Sequence, residues 1–245
     1  MNSDVLKSRF NLKRKFAVIL ARPEKAANIG GVARVMKNTG FAQLRVVGLK
    51  SIPPAAYQTA VHAGQVLSKA RLFSDLSQAT ADCQLIFAAT SKKRKNFSLI
   101  SLEEAVSEML NFPALTRIGL LFGCERTGLT GQELRNANFI FRIPQACLQP
   151  SYNLVTAVAI TLFQIFNRSF QLKTPLFNQE PLPRSEQELC IRLILAKLEE
   201  KRFLHKTNRK HVADMLYDLL GRLTMTAQDK KLLLALFSKG VNGKE

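Results

Sequence analysis

The 245-residue sequence has few cysteines and no clustered metal ligands. Its four cysteines are widely spaced along the chain: Cys83, Cys124, Cys147 and Cys190. They form no C-x-x-C pair, which argues against both a disulfide framework and a zinc site. The three histidines, His62, His205 and His211, lack a credible set of ligand partners. We therefore expect reduced thiols and no bound metal.

Long apolar runs are also missing. No run approaches the roughly 20 residues that a membrane-spanning helix needs. The short run Phe16–Ala21 is interrupted at once by Arg22, Pro23 and Glu24. We therefore expect a soluble, cytoplasmic protein with no membrane partner.

Acidic residues are scarce relative to basic ones. The chain has 36 Lys and Arg against 18 Asp and Glu, a net charge of +18. Such an excess favours a polyanionic partner, and nucleic acid comes before the alternative of an anionic membrane surface. With a hydrophobic fraction of 47%, the chain as a whole is not a disordered tail and can bury a substantial core.

Three common signatures of enzyme sites are absent. No G-x-G-x-x-G follows the first apolar run, and no G-x-x-x-x-G-K-[ST] occurs, which excludes the usual dinucleotide and nucleoside-triphosphate loops. No candidate Ser/His/Asp set is present either. The chemistry of this chain must rest on other residues.

Short apolar runs alternate with helical patterns from residue 16 onward, which predicts an α/β fold with a parallel sheet. The predicted strands are Phe16–Ala21, Leu44–Val47, Arg71–Phe73, Leu85–Ala89, Arg117–Phe122 and Phe139–Ile143. The predicted helices among them are Ile29–Thr39, Pro54–Ala63 ended by Gly64, Leu76–Ala81, Leu102–Leu110, a short one opened by Thr130 and Glu133, and a long one from Leu154 to about Gln171.

The pattern divides the chain into four parts: a basic arm over residues 1–15, an α/β domain over 16–172, a linker over 173–184 and a helical extension over 185–245. Three prolines mark the linker, and three helical patterns follow it. For the arm, contact with phosphate groups and a merely solvated terminus are about equally favoured interpretations. The cations that we predict to contact RNA are Lys13, Arg14, Lys15, Lys92, Lys93, Arg94, Lys95, Arg209 and Lys210.

Polar residues recur at three strand-to-helix turns, where α/β proteins commonly place ligands. The three stretches are Asn28-Ile29-Gly30-Gly31-Val32-Ala33-Arg34, Gly123-Cys124-Glu125-Arg126-Thr127-Gly128-Leu129 and Ser151-Tyr152-Asn153-Leu154. Each alone has an ordinary alternative as a helix cap, a turn former or a surface ion pair. Their occurrence together and in order favours one shared site.

These motifs resemble the SPOUT superfamily of knotted methyltransferases, in the branch that methylates ribose 2′-hydroxyls of tRNA and rRNA. The stretch Phe16–Gln171 carries the resemblance, and the helical extension is similar to that of the TrmJ-type tRNA methyltransferases. The resemblance implies a C-terminal trefoil knot, S-adenosyl-L-methionine (SAM) as cofactor and a homodimer. It implies methylation of tRNA, at nucleotide 32 of the anticodon loop. An rRNA substrate and a catalytically inactive RNA-binding module are the alternatives.

The resemblance also implies roles for individual residues. The catalytic set is Arg34, Asn28, Glu125, Ser151 and Asn153, and the SAM contacts are Thr90, Ser91, Lys92, Gly123, Ile143, Pro150, Ser151 and Tyr152. A guanidinium stays protonated in proteins, so we expect Arg34 to grip the substrate phosphate and stabilise the developing alkoxide rather than act as a base. Two positions depart from the family pattern: Tyr152 replaces a usual Leu, and Cys124 replaces a frequent basic residue.

Overall fold

The computed structural model describes residues 12–92, 97–146, 151–169, 180–205 and 208–238. Within them, seven parallel strands form one sheet in the order β3-β2-β1-β6-β4-β7-β5. The strands are β1 (Phe16–Ala21), β2 (Gln43–Val47), β3 (Arg71–Phe73), β4 (Leu85–Ala89), β5 (Leu99–Ser101), β6 (Ile118–Phe122) and β7 (Phe139–Arg142). The α/β fold with a parallel sheet is thereby confirmed.

Helices cover both faces of the sheet and continue beyond it. They are α1 (Ala26–Thr39), α2 (Pro54–Ala60), α3 (Gly64–Ser68), α4 (Leu76–Thr80), α5 (Leu102–Asn111), α6 (Gly131–Arg135), α7 (Leu154–Ser169), α8 (Arg184–Glu200), α9 (Arg209–Arg222) and α10 (Ala227–Ser238). Separate apolar clusters fill the two faces of the sheet, and a third lies inside the extension. The central strands are buried on both faces, which is why they read as continuous apolar runs.

The helix after β1 packs closely against two neighbours because it carries two glycines. A Cβ on Gly30 would lie 2.0 Å from the carbonyl oxygen of Ala56 in α2. A Cβ on Gly31 would lie 2.9 Å from Val155 in α7. These glycines therefore serve helix packing, and α1 begins three residues before the predicted start at Ile29.

The predicted helix Pro54–Ala63 is interrupted in the structure. Helix α2 ends at Ala60, residues Val61–Ala63 form a 3-10 turn, and α3 then starts at Gly64. Gly64 has a helical φ of −53°, so it continues the chain into a helix instead of ending one. The sequence analysis also missed β5, a three-residue strand at the sheet edge.

The predicted basic arm does not extend to residue 15. Residues 12–15 form a helical turn, and Leu12 and Lys15 are buried. Lys15 is 5% exposed, and its ammonium donates a hydrogen bond of 2.6 Å to the carbonyl oxygen of Phe112. The prediction that Lys15 contacts RNA is therefore wrong, because this cation is held inside the protein. The α/β domain therefore includes residues 12–15, which precede the predicted boundary at Phe16.

Burial of Lys15 gives the fold a specific pH dependence. Desolvation lowers the pKa of Lys15 from 10.5 to about 8. Between these values the unfolded chain binds more protons than the folded chain, so the free energy of unfolding rises with pH through this window. We expect the wild type to gain about 2–3 kcal/mol between pH 7 and pH 10 relative to Lys15→Met. Urea unfolding of both proteins across this range measures the gain, and parallel pH profiles would contradict it.

The extension docks on the α/β domain at the amino end of β4. The first N–H groups of α8, from Arg184 and Ser185, donate to the carbonyl oxygens of Cys83 and Ala81 at 2.6 and 3.2 Å. The side chain of Gln187 donates to the carbonyl oxygen of Gln84 at 3.0 Å. These contacts satisfy helix-end donors that no side chain caps. The extension is thus attached at the end of β4 opposite to its carboxyl end.

The end of the predicted linker is part of this packing. Leu182 is buried, and its N–H donates to the carbonyl oxygen of Met225 at 2.7 Å. Helix α8 then begins at Arg184. Residues 170–179 of the linker region and residues 1–11 of the arm lie outside the described residues. The trefoil knot stays a prediction, because residues 147–150 between β7 and α7 lie outside them as well.

Helices long and apolar enough to span a membrane do not occur in the described ranges.

Candidate functional site

An open cleft lies at the carboxyl ends of β4, β6 and β7. It holds about 780 Å³ of empty space, part of it continuous with solvent. Five groups of residues form its walls: Ala89–Lys92, Phe122–Leu129, Ile143 with Gln145, Ser151 with Tyr152, and Leu154 with Ala157. The lining mixes apolar and polar groups, as the walls of small-molecule sites do. Seven of the eight predicted cofactor contacts line it, and Pro150 lies outside the described residues.

The wall after β6 is a tight loop that needs glycine at both ends. A Cβ on Gly123 would lie 2.4 Å from the carbonyl carbon of Gly128 and from the nitrogen of Leu129. Gly128 has a φ of +68°, a left-handed conformation that L side chains rarely adopt. Its N–H donates to the carbonyl oxygen of Cys124 at 2.8 Å, which closes the loop. The two glycines thus allow the wall to fold back on itself.

Glu125 joins this wall to the segment that follows β1. Its carboxylate accepts hydrogen bonds from the N–H groups of Glu24 and Lys25 at 2.9 and 3.2 Å. It also accepts one from the side chain of Asn28 at 2.7 Å. Partial burial acts to raise the pKa of Glu125, but these hydrogen bonds outweigh it and hold the pKa below its ordinary value. The carboxylate is therefore ionised and occupied, which suits positioning rather than proton transfer.

The same region contains a group of three potential metal ligands. The ligand atoms of Glu24, Cys124 and Glu125 lie within 4.8 Å of one another. Each has a protein partner: the Cys124 thiol donates to Glu24 Oε1 at 3.2 Å, and Arg126 lies 3.4 Å from the same oxygen. Hydrogen bonding among protein groups accounts for this arrangement. The absence of a metal stays a prediction.

Two side chains that line the cleft donate hydrogen bonds to backbone carbonyl groups. The ammonium of Lys92 donates to the carbonyl oxygen of Thr127 at 3.1 Å, so the turn after β4 contacts the wall after β6. The hydroxyl of Tyr152 donates to the carbonyl oxygen of Pro144 at 3.2 Å. Tyr152 is 40% exposed and lines the cleft, so it is not a core residue.

The predicted catalytic residues divide into two groups. Asn28, Glu125 and Ser151 lie in or beside the cleft. Asn153 instead caps α7, because its side-chain oxygen accepts the N–H of Thr156 at 2.7 Å. Arg34 is exposed on α1 and is not among the residues that line the cleft. Among the described residues, Glu125 bonds to Glu24, Lys25 and Asn28 and makes no hydrogen bond or ion pair with Arg34.

The remaining predicted RNA contacts are exposed where the structure describes them. Lys13 and Arg14 are exposed within the helical turn of residues 12–15, between the buried Leu12 and Lys15. Arg209 and Lys210 are exposed at the start of α9, and Arg209 pairs with Glu199. Lys93, Arg94 and Lys95 lie outside the described residues. Exposure leaves the described cations accessible to phosphate groups, and their role stays a prediction.

The sequence analysis did not identify the ion pair between Arg22 and Glu133. Arg22 Nε lies 2.9 Å from Glu133 Oε1, and Arg22 Nη2 lies 2.7 Å from Oε2. Glu133 is recognisable from sequence only as part of a capping box with Thr130, which the structure confirms. The two partners are 111 residues apart, and no local pattern indicates such a contact. Gln145, which lines the cleft, was likewise not among the predicted site residues.

Comparisons with known proteins agree with this geometry. The model of the SpoU rRNA Methylase family matches residues 15–163. The tRNA (cytidine-2′-O-)-methyltransferase TrmJ of Methanocaldococcus jannaschii is 28% identical over 226 residues, 90% of this chain and 97% of that protein. The tRNA (cytidine/uridine/adenosine-2′-O-)-methyltransferase TrmJ of Pseudomonas aeruginosa is 26% identical and matches 92% of this chain and 93% of its own.

A solved structure shows that the similarity extends over the helical extension. The crystal structure of TrmJ from Z. mobilis ZM4 superposes with a TM-score of 0.77 at 28% identity, covering 91% of this chain and 97% of that chain. The family model spans more than half of the chain, from the turn before β1 into α7. It includes the strands and turns that build the cleft. The chain therefore belongs to the SpoU rRNA methylase family.

Proposed function

We propose that this protein transfers a methyl group from SAM to a ribose 2′-hydroxyl of tRNA. The observation that carries the proposal is the cleft at the carboxyl ends of β4, β6 and β7, whose walls contain the second and third sequence motifs. Membership of a methylase family supports the reaction. Relatives that carry names of tRNA 2′-O-methyltransferases and match at least nine-tenths of this chain support the substrate.

The residues of the cleft fit SAM chemically. Apolar groups from Ile143, Leu129 and Leu154 offer a slot for adenine. Hydroxyls of Thr90, Ser91 and Ser151 and the backbone of the loop after Gly123 offer hydrogen-bond partners for the ribose and the amino acid part. When bound, SAM supplies an electrophilic methyl group on a sulfonium. The residues that we propose to contact SAM are Thr90, Ser91, Lys92, Gly123, Ile143, Pro150, Ser151 and Tyr152.

The protein's own contribution is positioning. The ribose oxygen has to gain the methyl group in line with the breaking carbon–sulfur bond and to lose its proton, so orientation of the hydroxyl accounts for much of the acceleration. We assign Arg34 to the substrate: its guanidinium grips the adjacent phosphate and stabilises negative charge that develops on the oxygen. Glu125 and Asn28 join the wall after β6 to the turn after β1 and hold both in place.

The basic surface supports an RNA partner. The net charge of +18 favours phosphate contact, and Lys13, Arg14, Lys92, Arg209 and Lys210 are exposed. We propose a tRNA substrate methylated at nucleotide 32 of the anticodon loop. A cytoplasmic location follows from that substrate.

A homodimer is part of the proposal. Arg34 does not line the cleft of its own chain, so a second copy offers a route for this side chain into a site. Helix α7, which packs against α1, leaves the large apolar side chain of Phe163 57% exposed, and a second copy would cover it. Light scattering combined with size-exclusion chromatography measures the assembly, and we expect twice the chain mass.

Mass spectrometry of nucleosides tests the reaction. The full-length protein is incubated with SAM and unmodified tRNA, and the tRNA is then digested. We expect a new 2′-O-methyl nucleoside, which oligonucleotide mapping locates at position 32. The control is the same mixture without SAM.

Other outcomes distinguish the alternatives. Methylation of rRNA but not of tRNA would assign the activity to rRNA. Salt-sensitive RNA binding without any calorimetric binding of SAM would contradict an enzyme and favour an RNA-binding module. Methylation of tRNA at another nucleotide, such as position 34, would correct only the site of modification.

A further inference from the structure

Arg22 and Glu133 form a two-point ion pair at the rim of the site. The distances of 2.9 and 2.7 Å join two nitrogens of one guanidinium to the two oxygens of one carboxylate. Such a bidentate contact fixes direction as well as distance, unlike a single exposed salt bridge. Glu133 is the more buried partner, with a side chain that is 15% exposed.

The pair connects two turns that carry different sequence motifs. Arg22 is the first residue after β1 and precedes the turn that leads to Asn28. Glu133 lies in the first turn of α6, immediately after the cleft wall that ends at Leu129. Arg22 Nη2 also lies 3.5 Å from the carbonyl oxygen of Gly128, at the outer end of that wall.

A second set of hydrogen bonds joins the same two segments through a side chain of the wall. Glu125 belongs to the wall and accepts N–H groups from Glu24 and Lys25 of the turn after β1. Arg22 belongs to that turn and donates to the region just beyond the wall. The wall is thus held near its middle by Glu125 and at its far end by Arg22. Arg22 itself has a φ of +54°, a costly conformation for a residue with a side chain.

We propose that Arg22 and Glu133 are positioning residues that hold the wall Gly123–Leu129 in the shape that binds SAM. This inference rests on the proposed function for the identity of the ligand. Neither side chain lines the cleft, so the pair acts through the wall and not by touching the ligand. Preorganised walls avoid the cost of ordering a loop when the ligand binds.

Two variants remove the ion pair with little other change. Arg22→Gln keeps a polar side chain and loses the charge. Glu133→Gln retains an oxygen for the backbone N–H of Thr130, because glutamine also serves at the third position of a capping box. For each full-length variant we expect the dissociation constant for SAM in calorimetry to rise about tenfold. At saturating SAM, kcat stays within about twofold of wild type, because the reacting groups are unchanged.

Rescue separates positioning from a general loss of structure. Arg22→Lys keeps the charge but not the two-point geometry, so we expect an affinity between those of wild type and Arg22→Gln. The matched control is Arg168→Ala, which removes a surface pair with Glu103 at 3.3 Å that joins α7 to α5. We expect Arg168→Ala to bind SAM like the wild type.

Hydrogen exchange provides a readout that does not depend on SAM. In the full-length protein without ligand, we expect amides of residues 123–129 to exchange about tenfold faster in Arg22→Gln and Glu133→Gln, with the strands β1 and β6 unchanged. Unchanged affinity and unchanged exchange in folded variants would overturn the proposed role of the pair. Failure of the wild type to bind SAM would contradict the proposed function instead, and the exchange rates would still decide whether the pair holds the wall. If one variant does not fold, the other and Arg22→Lys decide.

Discussion

The Arg34→Ala variant is expected to lose methyl transfer to tRNA by at least about 100-fold, while its affinity for SAM and its melting temperature stay at wild-type values. The reason is the position of Arg34. The side chain is exposed, lies outside the cleft lining and makes no hydrogen bond or ion pair with another described residue, so its removal leaves the fold intact. Initial rates with radiolabelled SAM, at saturating tRNA, measure the loss.

The control for Arg34 removes an equally exposed cation elsewhere. Lys69 follows α3 and is exposed, and we expect Lys69→Ala to retain wild-type turnover. Arg34→Lys keeps the charge but not the planar donors, so we expect it to recover only part of the rate. Undiminished turnover of Arg34→Ala would contradict the assigned role, and equal losses in SAM affinity would move Arg34 to the cofactor.

Gly123→Ala is expected to abolish measurable SAM binding, with an affinity at least about 100-fold lower, and to destabilise the fold by about 2–4 kcal/mol. The added Cβ would lie 2.4 Å from backbone atoms of Gly128 and Leu129. Backbone atoms cannot turn aside as a flexible side chain does, so the whole wall has to move. Calorimetry with SAM and urea unfolding measure the two effects.

Gly131→Ala is the matched control for Gly123. Gly131 begins α6 just beyond the same wall, and a Cβ there would meet nothing within 4 Å. Alanine is also the better helix former, so we expect unchanged SAM affinity and unchanged or slightly higher stability. A Gly123→Ala protein that binds SAM like Gly131→Ala would show that the wall adapts, which would contradict the rigid geometry described above.

The sheet was largely predictable from the sequence because its central strands are buried on both faces. Runs such as Phe16–Ala21 and Leu85–Ala89 have the same bounds in the structure as in the prediction. The edge strand β5 was missed because its three residues, Leu99–Ser101, are only half-buried and carry no distinct pattern. The break at Val61 was missed for a similar reason, since the apolar spacing continues through it.

The site was predictable in location but not in its internal contacts. Motif order and the rule for parallel sheets placed Gly123, Ser151 and Thr90 at one edge, where the structure finds the cleft. The backbone partners of Glu125 were not predictable, because they are about 100 residues away in sequence and depend on the register of β1 against β6. The prediction that Lys15 contacts RNA was wrong because composition counts this cation but carries no information about its burial.

Pairing between β1 and β6 also sets an earliest time at which the site can form during synthesis. Phe16 pairs with Ile118, so one edge of β1 has no partner until about 100 further residues have left the ribosome. At about 5–20 residues per second, this interval lasts roughly 5–20 s. An unpaired apolar strand edge is a template for wrong association, so the nascent chain carries this liability for several seconds. The contacts of Glu125 and Arg22 that join the turn after β1 to the segment after β6 wait for the same event.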